Sequence, residues 1–176
     1  MKSYLLATLL ALAALPALAD TLPTVGHFEM ARFTGTWYEI AKYPNWSQRH
    51  CVSEDTMQYA LTEQYQLAMV SRCRTDSGEM EQKEGLARPL GRPDSPHLEV
   101  SFASPWLSLV PAVWRDYWII DLDARYQLAA VSDPSRQSLW ILSRTPHVDP
   151  ANYQALLGRL IGMGFDINKL ALTPQP

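Results

Sequence analysis

The chain has 176 residues, 47% of them hydrophobic and 19% charged, with a formal net charge of −3 at pH 7. That is enough apolar material for one domain with its own core. The weakly acidic, dispersed charge argues against a nucleic-acid partner.

The N-terminus reads as a targeting segment. Lys2 supplies a positive start, Tyr4 to Leu15 an apolar run too short to span a bilayer comfortably, and Ala17-Leu18-Ala19 a small-x-small cleavage site. Residues 1–19 are therefore set aside as a cleaved export signal, and residues 20–176 are read as a single domain. No cysteine follows the cleavage site, so the expected product is exported and soluble rather than lipid-anchored, in a periplasm or associated with an outer membrane. In that compartment the two cysteines favour one disulfide over a metal site.

After a lead-in over residues 20–32, with a helical turn expected over 27–32, comes Phe33-Thr34-Gly35-Thr36-Trp37-Tyr38-Glu39-Ile40-Ala41. Gly35 permits a close backbone approach that a Cβ would block, and Trp37 needs burial and a partner for its indole N–H. A strand is predicted over residues 36–43, with Trp37, Glu39, Ala41 and Tyr43 on one face. A loop over residues 44–50 carries Trp46. Strands over 52–61 and 65–74, turning at 62–64, bring Cys51 and Cys73 to the same far end, where antiparallel partners meet disulfide geometry.

A strand over 80–88 follows the turn Asp76-Ser77-Gly78, with Gly85 and Ala87 as small residues where a sheet bends. An irregular, proline-rich connection leads to a strand over 98–102, whose Leu98, Val100 and Phe102 alternate inward. Residues 104–116 are strongly apolar, with Trp106, Leu107, Leu109 and Trp114, but Pro105 and Pro111 exclude a helix or central strand. A loop this apolar either packs down or serves for contact. Strands over 117–123, 126–132 and 138–144 complete the set. Asp149 then caps a helix opened by Pro150, with Tyr153, Leu156, Leu157, Leu160 and Ile161 at helical spacing, and a short strand is expected over 170–173.

Eight strands joined mostly by short turns, then one helix, predict an all-β fold: an eight-stranded antiparallel up-and-down barrel of a size that holds one small ligand. In that topology Gly35, Trp37, the Asp123–Tyr126 turn and Arg144 converge at one end. The Arg144 guanidinium can there lie on the Trp37 ring as a cation–π contact that plugs the floor. The apolar 104–116 loop falls at the open mouth, where Trp106, Leu107, Leu109 and Trp114 are expected to form a lid or touch a membrane.

Three stretches carry a family likeness: Gly35-Thr36-Trp37-Tyr38-Glu39-Ile40-Ala41, Leu122-Asp123-Ala124-Arg125-Tyr126, and Trp140-Ile141-Leu142-Ser143-Arg144-Thr145-Pro146. In order and spacing they resemble the signature regions of the lipocalins, in particular the branch of bacterial lipocalins and apolipoprotein D. The likeness covers residues 30–173. The second stretch departs from the family's Thr-Asp-Tyr spelling, and the chain lacks the lipid-attachment cysteine of the bacterial members it resembles. The resemblance implies binding, for transport or storage in the cell envelope, of a small hydrophobic molecule, commonly a fatty acid or lysophospholipid.

The residues support that expectation independently. Glu39, Ala41, Tyr43, Met57, Tyr59, Leu67, Met69, Val100, Phe102, Tyr117, Ile119 and Trp140 are predicted to face the interior, a mainly apolar and aromatic lining with adaptable methionines. Glu39 and Asp121 are expected on the inner face to orient a polar head. Other functions find less support. The four histidines, His27, His50, His97 and His147, fall in loops or the lead-in, and no nucleophile motif or metal spacing is present, so no catalytic residue, metal or cofactor is predicted. Haem ligation by one histidine and a protein-interaction module built on the apolar mouth are the other readings.

Overall fold

The computed structural model describes residues 21–176; the export signal predicted over 1–19 lies outside the described residues. A four-residue helix, α1 (Met30–Phe33), precedes β1 (Gly35–Lys42). The strands β2 (Cys51–Leu61), β3 (Leu67–Thr75), β4 (Met80–Pro89), β5 (His97–Ser101), β6 (Arg115–Leu122), β7 (Leu128–Ser132) and β8 (Leu139–Ser143) follow in order. Helix α2 (Pro150–Gly162) and a short β9 (Ala171–Leu172) complete the chain. Neighbours in sequence pair antiparallel from β2 through β8, and β1 pairs with both β8 and β2. The sheet thus closes into an eight-stranded up-and-down barrel, and closure removes the exposed edges of an open meander. The ninth strand adds to β1 on the edge away from β8, along Ala41 and Lys42, beyond the point where β2 stops pairing.

Two apolar layers hold the barrel. The inner one fills its lower half: Met30, Phe33, Trp37, Tyr59, Leu67, Leu98 and Ile119 are all buried. The outer one lies between the barrel wall and α2, where Leu156, Leu157 and Leu160 meet Ile120, Ala130, Leu139 and Ile141. The helix starts as its sequence dictates, with Pro150 at its first position and the Asp149 carboxylate accepting from Asn152 N at 3.0 Å.

The floor is built by the residues that the first, second and third signature stretches supply. Trp37 stacks on Phe33 (centroids 4.6 Å apart) and donates its indole N–H to the Phe33 carbonyl at 2.8 Å. The Arg144 guanidinium covers the Trp37 ring, 4.0 Å from its centroid. It also donates to the carbonyls of Thr36, Arg32 and Tyr126 at 3.0, 2.9 and 3.2 Å. Gly35, at φ +94°, passes so close that a Cβ would stand 3.1 Å from Arg144 Nη1. Asp123 folds the β6–β7 turn by accepting from Leu128 N at 2.7 Å and Arg125 N at 3.0 Å, which places Tyr126 under Arg144.

Strict alternation fails at three bulges. The β1–β8 register slips between Glu39 and Ala41, and the β6–β7 register slips between Ile119 and Asp121. An extra residue on one strand reverses which face the following side chains occupy. Ala41 and Tyr43, expected inside, therefore lie in the outer layer against α2, and Tyr43 packs on Phe165 with centroids 6.3 Å apart. Asp121, also expected inside, points out to the helix and forms a bidentate pair with Arg159 at 2.6 and 2.9 Å. Conversely Lys42, which alternation places outside, turns in. The third irregularity lies in β2 between Cys51 and Thr56, with Glu54 at φ +58°.

Candidate functional site

Above the packed lower half the barrel is hollow. A cavity of about 560 Å³ opens at the end formed by the β1–β2, β3–β4, β5–β6 and β7–β8 connections. That volume lies in the usual range for small-molecule pockets, about 300–1,000 Å³. Its apolar wall comes from Met57, Met69, Val100, Phe102, Tyr117, Trp140 and Leu142. Tyr59 and Ile119, expected to line the site, belong instead to the layer that forms its base. Tyr59 reaches up to share a 2.6 Å hydroxyl contact with Tyr117, and burial pushes both phenols up. Phe102 stands at the mouth, 43% exposed, its ring over the inward face of Gly85; a Cβ there would fall 2.7 Å from Phe102 Cδ1 and 2.8 Å from the Ser101 carbonyl oxygen.

The upper wall is charged. Pairing of β4 with β3 sets Glu81 and Lys83 on the face shared by Cys73 and Ser71, and both line the cavity with Arg49 and Arg115. Lys83 Nζ pairs with Glu81 at 2.7 Å and donates to the Ser47 carbonyl at 3.1 Å, tying β4 to the β1–β2 loop across the mouth.

One side of the cavity holds a buried polar group that alternation did not reveal. Lys42 Nζ lies 2.8 Å from Glu39 Oε1 and also donates to Asp55 Oδ2. Gln48 joins them: its Nε2 donates to Glu39 Oε2 at 2.7 Å, and its Oε1 accepts from the Trp140 indole at 3.0 Å. Burial is the largest influence on Glu39; it outweighs the attraction of Lys42 and, helped by Asp55, pushes the carboxyl up to about 7. Burial depresses Lys42, yet the two carboxylates overcome it and hold the ammonium above its usual range. Asp55 is 2% exposed, and its Oδ1 has no hydrogen-bond partner among the described residues. Leaving a buried acceptor unmade costs about 1–3 kcal/mol. Asp55 was legible in principle: it stands two residues before Met57 on the same stripe as Tyr59. Lys42 was not, because only the bulge turns it inward.

Chain ends and the disulfide brace this side. The C-terminal segment crosses the gap that the bulges leave in β1 and β2: Thr173 N donates to the Ile40 carbonyl, Glu54 N to the Pro174 carbonyl, and Gln175 Nε2 to the carbonyls of Glu39 and Asp55. Cys51 and Cys73 form the disulfide, Cα atoms 5.5 Å apart, and both residues line the cavity. Ligand atoms of Cys51, Asp55 and Cys73 lie within 4.8 Å of one another, but the sulfurs are bonded to each other, so the cluster is not a metal-binding set. None of the four histidines lines the cavity.

The mouth loop divides. Residues Pro105–Leu107 and Pro111–Val113 form single 3₁₀ turns. Trp106 and Leu109 stand 77% and 91% exposed, and Leu107 is half-buried. Trp114, grouped with them on sequence grounds, is buried instead: its indole donates to the Ser108 carbonyl at 2.9 Å, and Arg88 covers its ring at 3.9 Å. Its place is taken by Trp46, 78% exposed in the β1–β2 loop at the same end.

Residues 28–175 match the lipocalin-like domain. The chain is 35% identical over 153 residues to the outer membrane lipoprotein Blc of Escherichia coli, covering 86% of this chain and 82% of that protein. It is 27% identical over 160 residues to mouse apolipoprotein D, covering 87% of this chain and 80% of that protein. Insecticyanin from the tobacco hornworm Manduca sexta shares the fold, with a TM-score of 0.67 at 15% identity over 90% of this chain and 87% of its own. With a closed eight-stranded barrel, a Trp–Arg floor and a cavity above it, matched in sequence along nearly all of the described chain, this protein belongs to the lipocalin family.

Proposed function

We propose that the protein binds one small amphipathic lipid, a fatty acid or a lysophospholipid, and carries or stores it in the cell envelope. The observation that supports this most is the division of the cavity: methionine and aromatic side chains below, and Arg49, Arg115 and the Lys83–Glu81 pair at the rim, a net positive edge. An acyl chain would lie against Met57, Met69 and Trp140, where apolar area leaves water. An acidic head would remain at the cationic rim. The envelope location draws on the export signal and on the likeness to an outer membrane lipoprotein. Lipocalins are generally binding and transport proteins, which supports a binding role here.

Trp46 in the β1–β2 loop and Trp106, Leu107 and Leu109 in the β5–β6 loop lie at the open end and would touch the bilayer while lipid passes. Native mass spectrometry of protein purified from its own host, with extraction of the bound material, tests the binding. A lipid at one per chain is the expected result. An unliganded mass with no uptake of a fluorescent fatty acid would sink the reading and favour the mouth as a contact surface for another protein.

A further inference from the structure

Two carboxylates stand on the cavity wall with one ammonium between them. Lys42 Nζ lies 2.8 Å from Glu39 Oε1 and also donates to Asp55 Oδ2, and none of the three side chains is more than 11% exposed. Glu39 and Asp55 belong to the cavity lining, and Lys42 stands behind them. With both carboxylates ionised, the wall would carry an uncompensated negative charge out of water, which is costly. One proton held by the pair removes that charge. It also supplies the donor that the buried Asp55 Oδ1 lacks, because a protonated Glu39 carboxyl can donate to Asp55.

The surroundings leave this pair to take up the proton. Tyr59 on β2 and Tyr117 on β6 feel the Glu39 charge, but burial pushes both phenols up and keeps them neutral. Gln48 from the β1–β2 loop, and Thr173 and Gln175 from the C-terminal segment, bring only uncharged groups. The other charged residues of the cavity are Arg49, Arg115 and the Lys83–Glu81 pair, and no histidine lines it. Burial brings Glu39 to about 7, so the exchange falls near neutral pH. The acidic-head end of the cavity is close by: Arg49 follows Gln48, whose Nε2 donates to Glu39 Oε2 at 2.7 Å. An anionic head at Arg49 adds a negative charge beside the two carboxylates and favours their protonated form.

Resting on the lipid-binding reading above, we propose that the protein is a proton-linked carrier: an anionic amphiphile enters together with a proton from solvent, which the Glu39–Asp55 pair holds, and both leave as the medium turns alkaline. Uncharged amphiphiles lie outside this linkage. Acidity at the loading site and relative alkalinity at the unloading site then give the exchange a direction.

Displacement of the uncharged probe N-phenyl-1-naphthylamine tests it with two amphiphiles whose own charge is fixed, tetradecanesulfonate and monomyristoylglycerol. Between about pH 5.5 and 8.5 the sulfonate should lose about tenfold in affinity, while the glyceride changes by less than about twofold. Calorimetry at about pH 7.5 in buffers of different ionisation enthalpy should show uptake of about half a proton with the sulfonate and none with the glyceride. In Glu39→Gln one ammonium faces one carboxylate, and both effects should vanish. If that variant does not fold, the wild-type calorimetry decides alone. A pH dependence that persists in Glu39→Gln would place the titration elsewhere and overturn the assignment. Parallel losses for both amphiphiles, or no proton uptake by the wild type, would overturn it as well. If both amphiphiles bind and neither depends on pH, only this inference falls. If neither displaces the probe at any pH, the lipid-binding reading falls with it.

Discussion

Glu39 shows how a single buried carboxyl couples the site to pH. In the unfolded chain it titrates near 4.5, and in the folded barrel burial moves that to about 7. Between those values the native state holds a proton that the unfolded chain has released, so this group's contribution to stability is greatest below pH 4.5 and falls as pH rises to about 7. Glu39→Gln removes the titration. Its stability relative to wild type should therefore rise by about 1–3 kcal/mol from pH 4.5 to 8. Urea unfolding at both pH values measures this, and parallel shifts would contradict it. Arg144 is a second residue whose role is set by its contacts. It satisfies three carbonyls while stacking on Trp37. Arg144→Met keeps the aliphatic cover but orphans the carbonyls, and should destabilise by about 2–4 kcal/mol in a thermal or urea melt.

Among the elements, the β2–β3 hairpin and the C-terminal segment form the wall behind the polar group. The bulged stretch of β2 lacks regular pairing, and the disulfide and the Thr173–Gln175 segment supply what the ladder does not. A cross-link closing a loop of 22 residues stabilises by about 2–4 kcal/mol, chiefly through the unfolded chain. Replacing Cys51 and Cys73 with Ser should lower stability by that amount. Because both line the cavity, it should also weaken binding of a fluorescent fatty acid. A variant with full stability would show that the tail alone braces the wall. Helix α2, by contrast, covers the outside of the barrel and reaches the interior only through the strands it packs on.

For the whole molecule, function depends on an asymmetry between its ends. The lower half is packed and plugged by Trp37 and Arg144; the upper half is hollow, with exposed Trp46 and Trp106 in two of the loops at that end. On the proposed reading, a ligand enters at the open end, past Trp46 and the β5–β6 loop that carries Trp106 and Leu109. Changing Trp106, Leu107 and Leu109 to Ser should slow uptake of fluorescent fatty acid from vesicles several-fold while leaving binding of dispersed ligand unchanged. Wild-type transfer rates would remove the rim from the mechanism. Trp114→Ser belongs to a different class, since it empties a buried site beneath Arg88, and should act on stability instead.

The strands, their order and the helix were all legible, because period-two alternation, turn residues and the Asp149–Pro150 start are local signals. The floor was legible too: an up-and-down meander obliges Gly35, Trp37 and Arg144 to meet once the strands are in order. The Cys51–Cys73 pairing followed from the same hairpin logic. What alternation could not supply was the phase of each strand after a bulge. A bulge is settled by how two strands and a covering helix fit together, and no residue type at Glu39–Ala41 or Ile119–Asp121 announces it. Hence Ala41, Tyr43 and Asp121 changed face, Lys42 turned inward beside Glu39 and Asp55, and the division of the barrel into a packed base and a hollow top emerged only from the assembled fold. The sequence determined the family and the frame; the polar wall of the cavity was decided by tertiary packing, because only the bulge in β1 turns Lys42 in beside Glu39 and Asp55.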